Sequence, residues 1–124
     1  GAETDDEVDD IRQEWIDRYG PIPEGAEALL SVAALRVQAR RLGIREISVT
    51  KGDGFGGPKF VAVLAPVQLR QSAQIRLDRT VRHARYQESA ERLILPVRTA
   101  ATSAVELRDA LVALVPPGKE VVPA

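Results

Sequence analysis

The chain has 124 residues, with 17 Lys and Arg against 18 Asp and Glu, a net charge of −1, one histidine and no cysteine. That length suits a single domain with its own hydrophobic core. The near-neutral balance gives no general attraction to nucleic acid or anionic membrane. The lack of cysteine excludes disulfides, thiolate zinc sites and a cysteine nucleophile, in keeping with a reducing compartment.

No apolar run approaches the roughly 20 residues that span a bilayer, and no segment has the pattern of a secretory leader. Gly1-Ala2 reads as an expression remnant, so the chain is expected to be cut from a longer protein. Residues 1–4 are then tag or truncation residues, 5–115 one domain and 116–124 a loose tail. Charge is uneven: the first ten residues hold six acids and no base, whereas Arg70, Arg76, Arg79, Arg82, Arg85 and Arg92 make the later half basic.

Thr4-Asp5-Asp6-Glu7 is a capping-box pattern that opens a helix over about 5–19. Val8, Ile11, Trp15 and Tyr19 fall on one stripe of it. At about 100° per residue, Asp6, Asp10, Glu14 and Asp17 fall on the opposite side. Gly20 can close the helix in a left-handed conformation, and Pro21 and Pro23 forbid its resumption before Glu24. The run Trp15–Pro23 is therefore a rigid elbow, expected to bury Trp15 and Tyr19 inward while Glu14 and Asp17 face out.

The second helix, about 24–42, has apolar residues on two sides: Ala26, Leu29, Leu30, Ala33 and Val37 on one, Ala28, Val32, Leu35, Ala39 and Leu42 on the other. Such a helix is expected between two layers, here the first helix and a sheet. Gly43 ends it.

Strands are expected over 44–50 and 60–64, joined by a glycine-rich hairpin loop. Pro66 reads as the start of a third helix carrying Leu69, Ala73, Leu77 and Val81. A second hairpin follows over 83–87 and 92–97, turning at 88–91. Ser103-Ala104-Val105-Glu106 reads as another capping box, opening a last helix that Pro116-Pro117-Gly118 stops. The order ααββαββα predicts an α+β domain, with two N-terminal helices packed on a mainly antiparallel four-stranded sheet.

Gly52-Asp53-Gly54-Phe55-Gly56-Gly57 satisfies G-x-G-x-x-G, and Asp78 lies at about the distance of a ribose-binding acid. That fingerprint needs the glycines to lead into a helix. Here Pro58 and a β-rich run follow, so a hairpin loop is expected and a nucleotide site is not. His83, the lone histidine, lacks the spaced partners of a metal or catalytic site. The acidic side of the first helix is either a solvated face or a docking face for an arginine-bearing partner. The arginines of 70–92 raise the alternative of a nucleic-acid-binding module, but only Tyr86 is near them for stacking.

Glu14-Trp15-Ile16-Asp17-Arg18-Tyr19-Gly20-Pro21-Ile22-Pro23, followed by a helix closing in Leu42-Gly43-Ile44, resembles the C-terminal domain of bacterial transcription-repair coupling factors. Gln74-Ile75-Arg76-Leu77, Ala84-x-Tyr86 and Leu93-x-x-Pro96-Val97 continue the resemblance in order. It implies a cytoplasmic bacterial parent that is an ATP-driven DNA translocase, with ATP and Mg held in its motor domains and no cofactor, metal or catalytic residue in this piece. The parent removes stalled RNA polymerase and recruits the excision-repair damage sensor.

The resemblance further implies a non-enzymatic regulatory domain that packs on the N-terminal module of the same protein and masks the damage-sensor-binding surface. It implies no membrane and no specific nucleic acid as a partner of this domain. Glu14 and Asp17 match the family's acidic positions beside the elbow and, with Asp10 on the same side, are expected to contact arginines of that module. Trp15, Tyr19, Gly20, Pro21 and Pro23 form the elbow that braces them. The upstream part of the family domain is missing here, and the glycine-rich hairpin is a departure from the family pattern.

Overall fold

A computed structural model describes residues 4–117; the expectations for Gly1-Ala2 and for most of the tail lie outside the described residues. The elements are α1 (Asp5–Tyr19), α2 (Glu24–Leu42), β1 (Glu46–Lys51), β2 (Phe60–Ala65), α3 (Gln71–Thr80), β3 (Arg85–Gln87), β4 (Arg92–Val97) and α4 (Ser103–Leu114), with a 3₁₀ turn over Glu88–Ala90. The sheet order is β1-β2-β4-β3 and every pairing is antiparallel. The α+β architecture and the ααββαββα order are as expected.

Local chemistry sets the helix ends. Thr4 Oγ1 accepts from the Glu7 N–H at 3.1 Å, which satisfies one free amide of α1. Gly20, at φ +82°, donates its N–H to Ile16 O at 2.9 Å, and Pro23 O accepts from Glu27 N–H at the start of α2. Gly43, at φ +74°, closes α2 with Gly43 N–H on Arg40 O and Ile44 N–H on Ala39 O. That paired arrangement puts the apolar residue after the glycine against the last turn, and Ile44 and Ala39 are both buried.

The core lies on one face of the sheet. Ala62, Leu64, Leu93, Leu95 and Val97 pack there with Leu35 and Ala39 of α2, Ala73 and Leu77 of α3, and Leu107, Leu111 and Leu114 of α4.

Five expectations are corrected. The third helix does not begin at Pro66. The Ala65–Pro66 peptide bond is cis, and the next residues run extended to Arg70. They are pinned to the second hairpin: Val67 N–H donates to Glu91 O at 2.7 Å, and the Tyr86 hydroxyl donates to Val67 O at 2.8 Å while accepting from Leu69 N–H at 3.1 Å. Of these groups Val67 O is one a helix would offer to the Gln71 N–H, and the bonds from Val67 and Leu69 N–H hold the segment against the second hairpin instead. Replacing Tyr86 by Phe leaves Leu69 N–H and Val67 O without this partner, so an expected loss of about 1–2 kcal/mol is measurable by urea unfolding.

The capping box at Ser103 does not form. Thr102 is the residue before α4, and the Glu106 carboxylate instead accepts from the Arg98 N–H at 3.0 and 3.1 Å and from the Thr102 hydroxyl at 2.7 Å. Glu106 therefore ties the exit of β4 to the first turn of α4. The first strand spans 46–51 rather than 44–50, and the strand of the second hairpin starts at Arg85 rather than His83, which stands at φ +67°.

Helix α2 is enclosed only over its second half. Leu35, Val37, Gln38 and Ala39 are buried, but Leu29 is 73 % and Val32 40 % exposed. Its apolar residues near the elbow are not covered by a layer.

Candidate functional site: the elbow half of the helical hairpin

Helices α1 and α2 form an antiparallel hairpin whose open end is anchored and whose elbow end is free of the core. At the anchored end, Asp5 Oδ2 accepts from Gln38 Nε2 at 2.6 Å and from Arg108 Nη2 at 3.0 Å. Gln38, only 2 % exposed, accepts in turn from Arg41 Nε at 2.8 Å, and Arg41 also caps the carbonyl of Val115. One polar cluster thus joins α1, α2 and α4. Burial pulls the Arg108 guanidinium down, but its hydrogen bonds to Asp109 and Asp5 outweigh that and hold its pKa above the usual value. Arg12 pairs with Glu27 midway along the hairpin.

Only Val8 of α1 is buried. Ile11 is 47 %, Trp15 39 %, Ile16 40 % and Tyr19 69 % exposed. The expectation that the elbow buries Trp15 and Tyr19 is therefore wrong. Their rings lean on each other, centroids 5.2 Å apart at 57°, and on no core residue. The four-residue spacing that marks an amphipathic helix cannot say whether the apolar side meets the chain's own core or another surface. Gly20 ends α1 at φ +82° and ψ −159°, outside the left-handed helical region expected for it, and Pro21 and Pro23 lie between the two helices.

On the side of α1 opposite this apolar ridge, Asp10, Glu14 and Asp17 are all exposed. Glu14 forms an i,i+4 pair with Arg18 at 3.1 Å, and Asp17 accepts from Gln13 Nε2 at 2.9 Å. Both links are at the surface, where such pairs contribute little and are easily exchanged for a better partner. The elbow half of α1 thus presents an aromatic and aliphatic ridge on one side and carboxylates on the other, two kinds of surface that protein interfaces use. It lacks the convergent groups of an active site.

The other sequence signals are placed elsewhere. The glycine motif is the hairpin loop between β1 and β2 and leads into a strand, so no helix end faces it. Asp53 Oδ1 accepts from the Phe55 N–H at 2.9 Å, and Phe55 at the tip is 90 % exposed. A Cβ on Gly52 would collide with the Pro58 carbonyl. Asp78 and His83 are exposed, on α3 and just beyond it. No group of His, Asp or Glu suited to a metal ion occurs among the described residues. The arginines of 70–92 do not form one track: Arg76 donates to Leu114 O at 2.6 Å, Arg79 and Arg82 sit at the end of α3, and Arg85 and Arg92 are on strands. Among the described residues no helix is long and apolar enough to cross a membrane.

Fold and site together define an α+β domain whose distinguishing surface is a half-uncovered helical hairpin. Residues 1–57, the stretch that contains the hairpin, the first strand and the glycine loop, match the TRCF domain family. Over 96 residues, 73 % of this chain, it is 36 % identical to a transcription-repair-coupling factor of Escherichia coli. Over 109 residues, 87 % of this chain, it is 34 % identical to those of Mycobacterium bovis and Mycobacterium tuberculosis. The chain belongs to this family, as a TRCF domain and not a motor domain. It spans about 8 % of the length of each of these relatives.

Proposed function

We propose that this domain is a regulatory docking module of a bacterial, cytoplasmic transcription-repair coupling factor, acting in transcription-coupled excision repair. It binds the N-terminal module of the same protein through the elbow half of α1. Docked there, it masks the surface that the damage sensor must reach and restrains the ATP-driven motor. The observation that carries this reading is the exposure of Ile11, Trp15, Ile16 and Tyr19 alongside Glu14 and Asp17. A monomeric surface gains nothing from presenting two aromatic rings, tilted against each other, to water, whereas an interface uses aromatic anchors at its centre.

Glu14 and Asp17, with Asp10 one turn further back, supply charged contacts from the other side of the helix. Arginines on the partner replace the local Gln13 and Arg18 contacts and fix the register of docking. Release of the domain then exposes the damage-sensor surface, and the contact to RNA polymerase is made by other parts of the parent. A nucleic-acid role through the arginines of 70–92 is less supported, since those side chains are dispersed and Arg76 is engaged by α4.

In the full-length parent, Glu14→Arg with Asp17→Arg is expected to raise both basal ATPase activity and damage-sensor binding, by reversing the charge of the acidic side of α1. Both positions are solvent-exposed, so folding is preserved. Unchanged ATPase rates together with unchanged damage-sensor binding would refute the masking role.

A further inference from the structure

The two central strands are apolar on both faces, yet the helices cover one. Phe60-Val61-Ala62-Val63-Leu64-Ala65 and Leu93-Ile94-Leu95-Pro96-Val97 contain no polar side chain. An antiparallel sheet with one wet face alternates apolar and polar residues, and an unbroken apolar run is the pattern of a strand buried from both sides. Ala62, Leu64, Leu93, Leu95 and Val97 point to the helices and are fully enclosed. Val61, Val63, Ile94 and Pro96, which alternate with them, lie outside the core cluster and are only partly buried.

The register sets Val61 opposite Pro96 and Val63 opposite Ile94, so the four side chains form one aliphatic block on the outward face. With strands about 4.8 Å apart the block matches the roughly 10 Å width of one α-helix.

The surround of this block is basic. Arg85 pairs with Ile94 and Arg92 with Gln87, which puts both arginines on the outward side. Lys59 and Arg98 continue the same alternation at the far ends of β2 and β4, and with Arg82 and Pro96 they line one open cleft. Glu106 shares that cleft, but its carboxylate is held by the Arg98 N–H and the Thr102 hydroxyl. Among the described residues, Lys59, Arg85, Arg92 and Arg98 form no ion pair, and Glu46 is the one acid at an outward strand position.

We propose that the outward face of the sheet docks an acidic amphipathic helix, its apolar stripe on Val61, Val63, Ile94 and Pro96 and its carboxylates on Lys59, Arg85, Arg92 and Arg98. A helix laid on a sheet is the standard way to complete such a layer. The block has no aromatic ring on which a base could stack, because Phe60 and Tyr86 face the core, so a nucleic-acid strand fits it less well. A second copy meeting the same face across a two-fold axis would bring arginines against arginines. The surface is separate from the elbow ridge on α1, and its occupant is independent of the proposed docking to the N-terminal module.

The test is an NMR titration of the 124-residue chain with a helical peptide of roughly 18 residues, leucines at i, i+3, i+4 and i+7 and glutamates elsewhere. Amide shifts confined to β2, β4 and β3 are expected. Affinity should fall at least about tenfold with Arg85→Glu plus Arg92→Glu, both exposed and outside the core. Val63→Glu should abolish the shifts while leaving those of α1 in place. The proposal is overturned by three results: no shifts at peptide saturation of a control acidic-helix binder, the same shifts from a scrambled peptide or an oligonucleotide, or sedimentation showing that a second copy already occupies the face.

Discussion

Leu64→Ala is expected to destabilise the domain by about 3–4 kcal/mol and to lower its melting temperature on the order of 10–15 °C. Leu64 has no exposed surface and stands between Ile47 of β1 and Leu93 of β4 in the register, facing the leucines of α4 and α3. Truncation removes buried methyl groups and leaves a cavity whose walls are strand backbone, which collapses poorly. Val63→Ala, one residue away and on the outward face, should cost about 1 kcal/mol or less, because the site already borders water. Thermal unfolding of the pair measures the asymmetry of the sheet. Equal losses would contradict the assignment of a covered and an uncovered face.

Val8→Asp is expected to release α1 while the rest of the domain stays folded. Among the described residues Val8 is the one buried residue of α1, and the Asp5 cluster and the Arg12–Glu27 pair also tie the helix down. A carboxylate placed against α2 and α4 would cost several kcal/mol if it stayed buried and unpaired. The helix has little else to hold it, so local opening limits that cost. Hydrogen exchange should show residues 5–19 losing protection, with β2 and β4 keeping theirs. A global loss of protection would mean that α1 is integral to the core. Since the proposed docking ridge is on α1, the same variant should abolish binding to the N-terminal module without altering either Glu14 or Asp17.

These expectations rest on features with different visibility in the chain. The elbow and both hairpins could be read directly, because Gly20, Gly43, Pro21, Pro23 and the alternation of Phe60 to Leu64 act through local sterics and pleat geometry. The start of α3 could not. Pro66 is a good first helical residue by itself, and only the bonds from Val67 and Leu69 to Tyr86 and Glu91 hold that segment extended. The second capping box failed for a similar reason, since Glu106 found a stronger partner in the Arg98 N–H across the turn.

Burial was the least legible property. The spacing of Val8, Ile11, Trp15 and Tyr19 is that of any helix with one apolar side, and nothing local distinguishes a side turned to the chain's own core from one turned to a partner. The outcome corrects the geometry of the candidate site. The sequence points to Glu14, Asp17 and Asp10 as docking residues braced by buried aromatics; Trp15 and Tyr19 are instead part of the exposed surface. The Asp5–Gln38–Arg41–Arg108 cluster was not foreseen, because Asp5 and Arg108 are 103 positions apart and neither belongs to a spaced motif.

Binding of the 124-residue chain to the isolated N-terminal module of the parent, measured by calorimetry, tests the central claim most directly. Saturable binding is predicted for the unmodified chain. It should weaken at least about tenfold on Glu14→Arg with Asp17→Arg, and again on Trp15→Ala with Tyr19→Ala. Circular dichroism should show all these variants folded. Unmodified affinity in both double variants, or no binding by the unmodified chain, would contradict the account.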